Sequence, residues 1–104
     1  KLLDYINSLQ DGLNTIIGES GISLSGGLKQ RLIIARSLFR KPKILIMDEA
    51  TNSLDMENEK SIMEILNLIK NDMIVLLVTH QKNLLDYCDK VYILKDNNLA
   101  EVEK

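Results

Sequence analysis

Apolar residues along this chain follow two rhythms. Leu2, Leu3, Ile6 and Leu9 recur at helical spacing, and Asp11-Gly12 stops that helix. Leu13 to Leu24 mixes glycines with polar residues and reads as loop. A helix is predicted from Ser25 to about Arg40, with Leu28, Leu32, Ala35 and Phe39 on one face. Ser25 suits its N-cap, and Pro42 ends it before the next strand. The second rhythm is continuous rather than periodic. Ile44 to Asp48 and Met73 to Thr79 are apolar runs of strand length, the pattern of parallel strands covered on both faces.

Between those runs a helix is predicted from about Met56 to Lys70. Asp55 is its N-cap, Glu57 and Glu59 favour its first turn, and Ile62, Ile65, Leu66 and Ile69 are its buried stripe. Strand, helix, strand predicts a right-handed crossover unit. A short helix around Leu84 to Cys88 follows. Strands Val91–Leu94 and Leu99–Val102 then turn about Asp96-Asn97-Asn98, where asparagine tolerates the positive φ that a tight hairpin needs. The fold class is therefore α/β, with parallel strands, a crossover helix and a C-terminal hairpin.

Two places in this frame carry chemistry. Ser25-Gly26-Gly27 opens a helix, where the first N–H groups lack intrahelical partners and the dipole favours negative charge. Glycine there lets a backbone approach an anion closely. Ile44-Leu45-Ile46-Met47 runs into Asp48-Glu49, so a buried strand delivers two carboxylates at its end. A phosphate trap combined with carboxylates suited to a metal and to a base suggests nucleotide chemistry.

At 104 residues, 45% apolar and 27% charged, the chain has an ordinary globular balance. Its net charge of −2 argues against a general nucleic-acid role. The cluster Lys29, Arg31, Arg36, Arg40, Lys41 and Lys43 reads first as a solvated helix face, with a phosphate- or partner-facing role as the alternative. The lone Cys88 reads as a small core residue and suits a reducing compartment. No run approaches the ~20 apolar residues of a membrane span; Met73 to Val78, at six, is the longest.

Leu24-Ser25-Gly26-Gly27-Leu28 resembles LSGGQ, the signature motif of ATP-binding cassette (ABC) transporter nucleotide-binding domains. Ile44 to Glu49 resembles the family's Walker B strand with its catalytic glutamate, Asn52 to Asp55 its D-loop, and Thr79-His80 its H-loop. The four motifs stand in family order. The family's P-loop, G-x-x-x-x-G-K-[ST], has no counterpart: Gly21 and Gly26 have the right separation, but Gly27 stands where lysine is needed. On this resemblance, residues 1–104 form one partial P-loop NTPase domain of RecA-like type with an incomplete sheet. Its parts are a signature-bearing helical segment (1–41) and a Walker B to H-loop α/β segment (42–104). The chain then reads as the C-terminal part of a longer ATPase domain.

The resemblance implies a role for each matched residue. Asp48 holds Mg²⁺, directly or through water. Glu49 orients or deprotonates the attacking water, and His80 links that water to the γ-phosphate of ATP. Ser25, Gly26 and Gly27 close over ATP held by a second nucleotide-binding domain in a head-to-tail dimer, with Asp55 acting across that dimer. Leu28 departs from the family's glutamine, and Ser20 from the arginine that exporters often carry.

The flavour of the motifs implies an exporter, because importers and ribosome-associated members usually show proline after the glutamate, where this chain has Ala50. Thr15 to Gly21 resembles the exporter loop that touches coupling helices of a transmembrane domain, fused or separate. The implied function is ATP hydrolysis coupled to transmembrane transport, at the cytoplasmic face of a cell membrane. A composition rich in lysine, asparagine and isoleucine suits an AT-rich bacterial genome. The alternative is a soluble ABC-type ATPase acting on DNA or ribosomes. In either case, lack of a P-loop lysine implies that the isolated chain neither hydrolyses ATP nor binds it tightly.

Overall fold

The computed structural model describes residues 2–103. Helix α1 (Leu2–Ser8) ends at Ser8, before Leu9 and earlier than the Asp11-Gly12 stop that the sequence predicts, and Gly12, at φ +50°, opens a short 3-10 segment, Gly12–Asn14. The loop that follows is pinched by a bridge between Ile17 and Ile22. Helix α2 (Gly26–Phe39) then begins at Ser25, whose hydroxyl accepts from the Leu28 N–H at 3.4 Å.

Strand β1 (Ile44–Asp48) and strand β2 (Ile74–Val78) pair in parallel, Ile44 opposite Ile74 and Asp48 opposite Val78. Helix α3 (Met56–Ile69) crosses between them. Its N-cap is Asp55, which accepts from the Asn58 N–H at 2.8 Å. Residues Lys82–Tyr87 form a 3-10 helix rather than an α-helix. Strands β3 (Val91–Lys95) and β4 (Asn98–Val102) make a separate antiparallel hairpin. Asp96 and Asn97 sit at φ +50° and +60°, the positive angles of a two-residue hairpin turn.

The core is one cluster: Ile34 from α2, Leu45 and Met47 from β1, Ile62, Met63 and Leu66 from α3, and Leu84 beyond β2. Ile62 and Leu84 are fully enclosed. The buried polar side chain of Glu59 is met by Asn83 Nδ2 at 2.7 Å, which ties α3 to the segment after β2.

Two sequence expectations are corrected. The sheet is covered on one face only. Leu45 and Met47 are buried, whereas Ile44, Ile46, Ile74, Leu76 and Val78 on the other face are exposed. The continuous apolar run encodes two covered faces, and the described residues supply a cover for one. The second correction concerns α2, which turns Gly27, Arg31, Ile34 and Leu38 inward. Ala35 is exposed and Phe39 is 88% exposed.

The surface agrees with a half-covered sheet. The chain exposes 8381 Å², against about 5,900 Å² for a compact monomer of its mass. Its radius of gyration is 15.9 Å, against about 13 Å for a compact domain of this length. No helix among the described residues is long and apolar enough to cross a membrane. The architecture is that of a partial ABC ATPase domain: a two-stranded parallel sheet with helices and a C-terminal hairpin.

Candidate functional site

The C-terminal ends of β1 and β2 bring Asp48, Glu49 and His80 to one edge. Asp48 is the last residue of β1, exposed and paired with Val78. Glu49 leaves the strand in the left-handed region, at φ +47°. For a side chain with a Cβ that conformation costs on the order of 1–3 kcal/mol, and it persists only where the surroundings impose it. Three contacts do so. The Glu49 N–H donates to the Val78 carbonyl at 2.9 Å. Its Oε1 lies 3.0 Å from His80 Nε2, and its Oε2 accepts from Asn52 Nδ2 at 3.0 Å.

A carboxylate oxygen only accepts, so His80 presents an N–H at Nε2 to Glu49. Both side chains remain open to solvent, His80 at 90%. Behind them, Thr51 is buried and its hydroxyl lies 3.5 Å from Gln81 Oε1, while the Gln81 N–H donates to Thr79 Oγ1 at 3.0 Å. The first contact joins the turn after β1 to the turn after β2, and the second lies within the turn after β2.

The second group forms where α2 and α3 begin. Ser25 and Gly26 are exposed and Gly27 is buried. Gly26 comes close to Leu54 Cδ2 and the Ser53 carbonyl, so the start of α2 lies beside the turn that leads into Asp55. Asp55 accepts from both the backbone and the side-chain amide of Asn58, at 2.8 and 2.9 Å. Those bonds, the backbone one foremost, hold its carboxyl below the ordinary carboxylate range. Arg31 spans the two helices, Nη1 to Asn58 Oδ1 at 3.2 Å and Nη2 to Ser61 Oγ at 2.9 Å.

The structure thus assembles Asp48, Glu49 and His80 at the sheet edge, and Ser25, Gly26, Gly27 and Asp55 at the paired helix starts. Sequence reasoning missed Asn52, Asn58, Thr51 and Gln81. For Arg31 it preferred a solvated face, whereas the guanidinium is partly buried and hydrogen-bonded. Asn52 carried a readable signal, three residues after Glu49 in a turn. The contacts of Arg31 and Gln81 span 27 and 30 residues and leave no trace in local spacing.

Comparison with known proteins bears on this arrangement. Residues 3–52 match the family model described as ABC transporter, a match that includes Ser25 to Gly27 and Asp48-Glu49. The chain belongs to the ABC transporter family. It is 42% identical over 101 residues to an ABC-type transporter, fsqE, of Aspergillus fumigatus; that alignment covers 97% of this chain and 8% of the relative. It is 40% identical over 99 residues to an ATP-dependent lipid A-core flippase of Pectobacterium atrosepticum, covering 95% of this chain and 17% of the relative. A flippase of the same name from Photobacterium profundum is 41% identical over the same shares. The chain therefore spans less than a fifth of the length of these ABC relatives.

Proposed function

We propose that this chain supplies the signature, Walker B, D-loop and H-loop parts of the ATP-hydrolysing domain of an exporter-type ABC transporter. The observation that carries the reading is the Glu49–His80 contact of 3.0 Å, made at the tips of two parallel strands with Glu49 held at φ +47°. The C-terminal ends of parallel strands are where open α/β sheets bind their ligands.

Each group at this edge has a physical task. Glu49 Oε1 and Oε2 are fixed by His80 and Asn52, so the carboxylate is preorganised to orient a water and take its proton. His80, exposed beside it, is positioned to bond the terminal phosphate and keep that water in line. The α2 N-terminus, with Ser25 Oγ and the N–H groups of Gly26 and Gly27, offers donors for phosphate oxygens.

Asp48 fits Mg²⁺ as a single exposed carboxylate, because Mg²⁺ commonly takes one or two protein carboxylates and completes its shell with water and substrate phosphates. Among the described residues no set of three acidic, histidine or cysteine side chains gathers as a metal cage, which suits a metal that arrives with nucleotide. When bound, Mg²⁺ would neutralise charge developing on the phosphates.

The P-loop lysine has no counterpart in the 104 residues, so the nucleotide phosphates are gripped by another part of the ATPase. The partners follow from this: a second nucleotide-binding domain arranged head to tail, and a transmembrane domain above the Thr15–Gly21 loop. The domain then works at the cytoplasmic face of the membrane.

The test uses the intact protein that contains this segment, in lipid vesicles with ATP. Hydrolysis that disappears in Glu49→Gln while nucleotide binding persists supports the reading. Hydrolysis unchanged by that substitution refutes it.

A further inference from the structure

Gly27 serves more than one purpose. A Cβ added to it would overlap Asn58 Oδ1 and lie 2.5 Å from Asn58 Cγ and 3.0 Å from Nδ2. Asn58 is not at liberty to step aside. Its Nδ2 and backbone N–H both donate to the Asp55 carboxylate, and its Oδ1 accepts from Arg31. The second arm of the guanidinium is fixed on Ser61. One amide side chain therefore runs from the first turn of α2 to the carboxylate that caps α3.

We propose that Gly27, Asn58 and Arg31 form a latch holding the start of α2 and the Asp55 cap in fixed register, so that Ser25–Gly27 and Asp55 meet nucleotide as one rigid unit. Arg31 and Asn58 are positioning residues in this arrangement. It rests on the ATP-site reading above and adds to it the device that aligns two of its parts. The chemistry of the latch is specific. A guanidinium is a planar fork that can hold Asn58 and Ser61 together, whereas a lysine ammonium is a point charge on a flexible stem. A bare Gly27 lets Asn58 lie against the helix backbone, so its missing side chain shapes the latch as well as any approach to phosphate.

The experiment is ATP hydrolysis by the intact protein, with kcat and KM separated. In Gly27→Ala the contact with Asn58 must open by about 1 Å to reach an ordinary carbon–carbon distance. A displacement of that size can lower kcat by about ten- to a hundredfold. Adding Asn58→Ala removes the obstruction, and kcat is expected to return to within about threefold of the Asn58→Ala protein alone. A double variant as slow as Gly27→Ala overturns the latch, because Gly27 would then serve phosphate approach only.

A cycle of Arg31→Met and Asp55→Asn decides the matter where Gly27→Ala fails to fold. The latch requires the combined loss in kcat to be smaller than the product of the single losses, with Arg31→Lys retaining more turnover than Arg31→Met. Losses that multiply overturn it. So does an Arg31→Met protein that melts earlier yet keeps its kcat, which is what a purely structural contact gives. An unmutated protein without ATP hydrolysis refutes the site reading and the latch with it, whereas an active protein lacking the rescue refutes the latch alone.

Discussion

His80 Nε2 and Glu49 Oε1 meet at 3.0 Å although the two residues follow different strands. The parallel register produces this contact. Asp48 stands opposite Val78, so the residues that follow each strand leave the sheet side by side. Replacing Glu49 with glutamine preserves the size of the side chain and removes the base. Turnover of the intact protein is expected to fall by about 10²–10⁴, with ATP binding retained. Radiolabelled phosphate release and nucleotide filter binding, run in parallel, check both halves.

Asp55 gives a pH signature. Hydrogen bonds from Asn58 lower its carboxyl below the ordinary value, about 3.9 for aspartate. A lowered native value means that its contribution to stability is complete above that ordinary value. The contribution fades as the pH falls through the lower native one. The difference in melting temperature between the unmodified protein and Asp55→Asn should therefore be constant at neutral pH and shrink in acid below about pH 4. A gap that widens on acidification contradicts the cap geometry.

Lys90 gives the opposite sign. A hydrogen bond to Glu101, 3.2 Å away across the hairpin, raises its ammonium above the ordinary range. Its contribution is present below the ordinary lysine value of about 10.4 and is lost as pH rises through the raised one. In Glu101→Gln the Nζ titration, followed by NMR, should move back down.

The core makes a quantitative claim. Ile62 is fully enclosed between α2, β1 and the segment after β2. Ile62→Ala is expected to cost about 2–5 kcal/mol of unfolding free energy. Urea denaturation of the intact protein, read from a probe within this segment, measures it.

The bare face of the sheet makes a claim about association. Ile44, Ile46, Ile74, Leu76 and Val78 form one exposed apolar surface, and patches of that kind drive contact with other chains. The isolated 104-residue chain should self-associate, and Ile46→Ser with Leu76→Ser should reduce its sedimenting size. The same pair should destabilise the intact protein to the extent that another part of it covers that face. A monodisperse isolated chain that is indifferent to both changes contradicts this.

Most of the element order could be read from residues because its signals are local. Ser25 and Asp55 act on N–H groups three positions away, and Asp96-Asn97 needs only its own positive φ. The inward side of α2 was harder to read. Leu28, Leu32, Ile33, Ile34, Leu38 and Phe39 surround that helix, so spacing alone does not select the Ile34 face over the Phe39 face. The one-sided sheet eluded the sequence for another reason: an apolar run reports how a strand is buried in its finished setting, wherever the cover comes from. At the candidate site the motifs marked Glu49 and His80 but not what steadies them. Asn52, Asn58 and Gln81 are ordinary turn and helix residues until the fold brings their partners close.

The backbone of Glu49 sets stability against chemistry at a single position. At φ +47° glycine is the residue that would sit at ease, so a screen for heat resistance should enrich Glu49→Gly, and a screen for transport should purge it. Variation at this codon would reveal which pressure a lineage has lived under. On the proposed function, a copy that has exchanged its carboxylate for comfort there has stopped burning fuel.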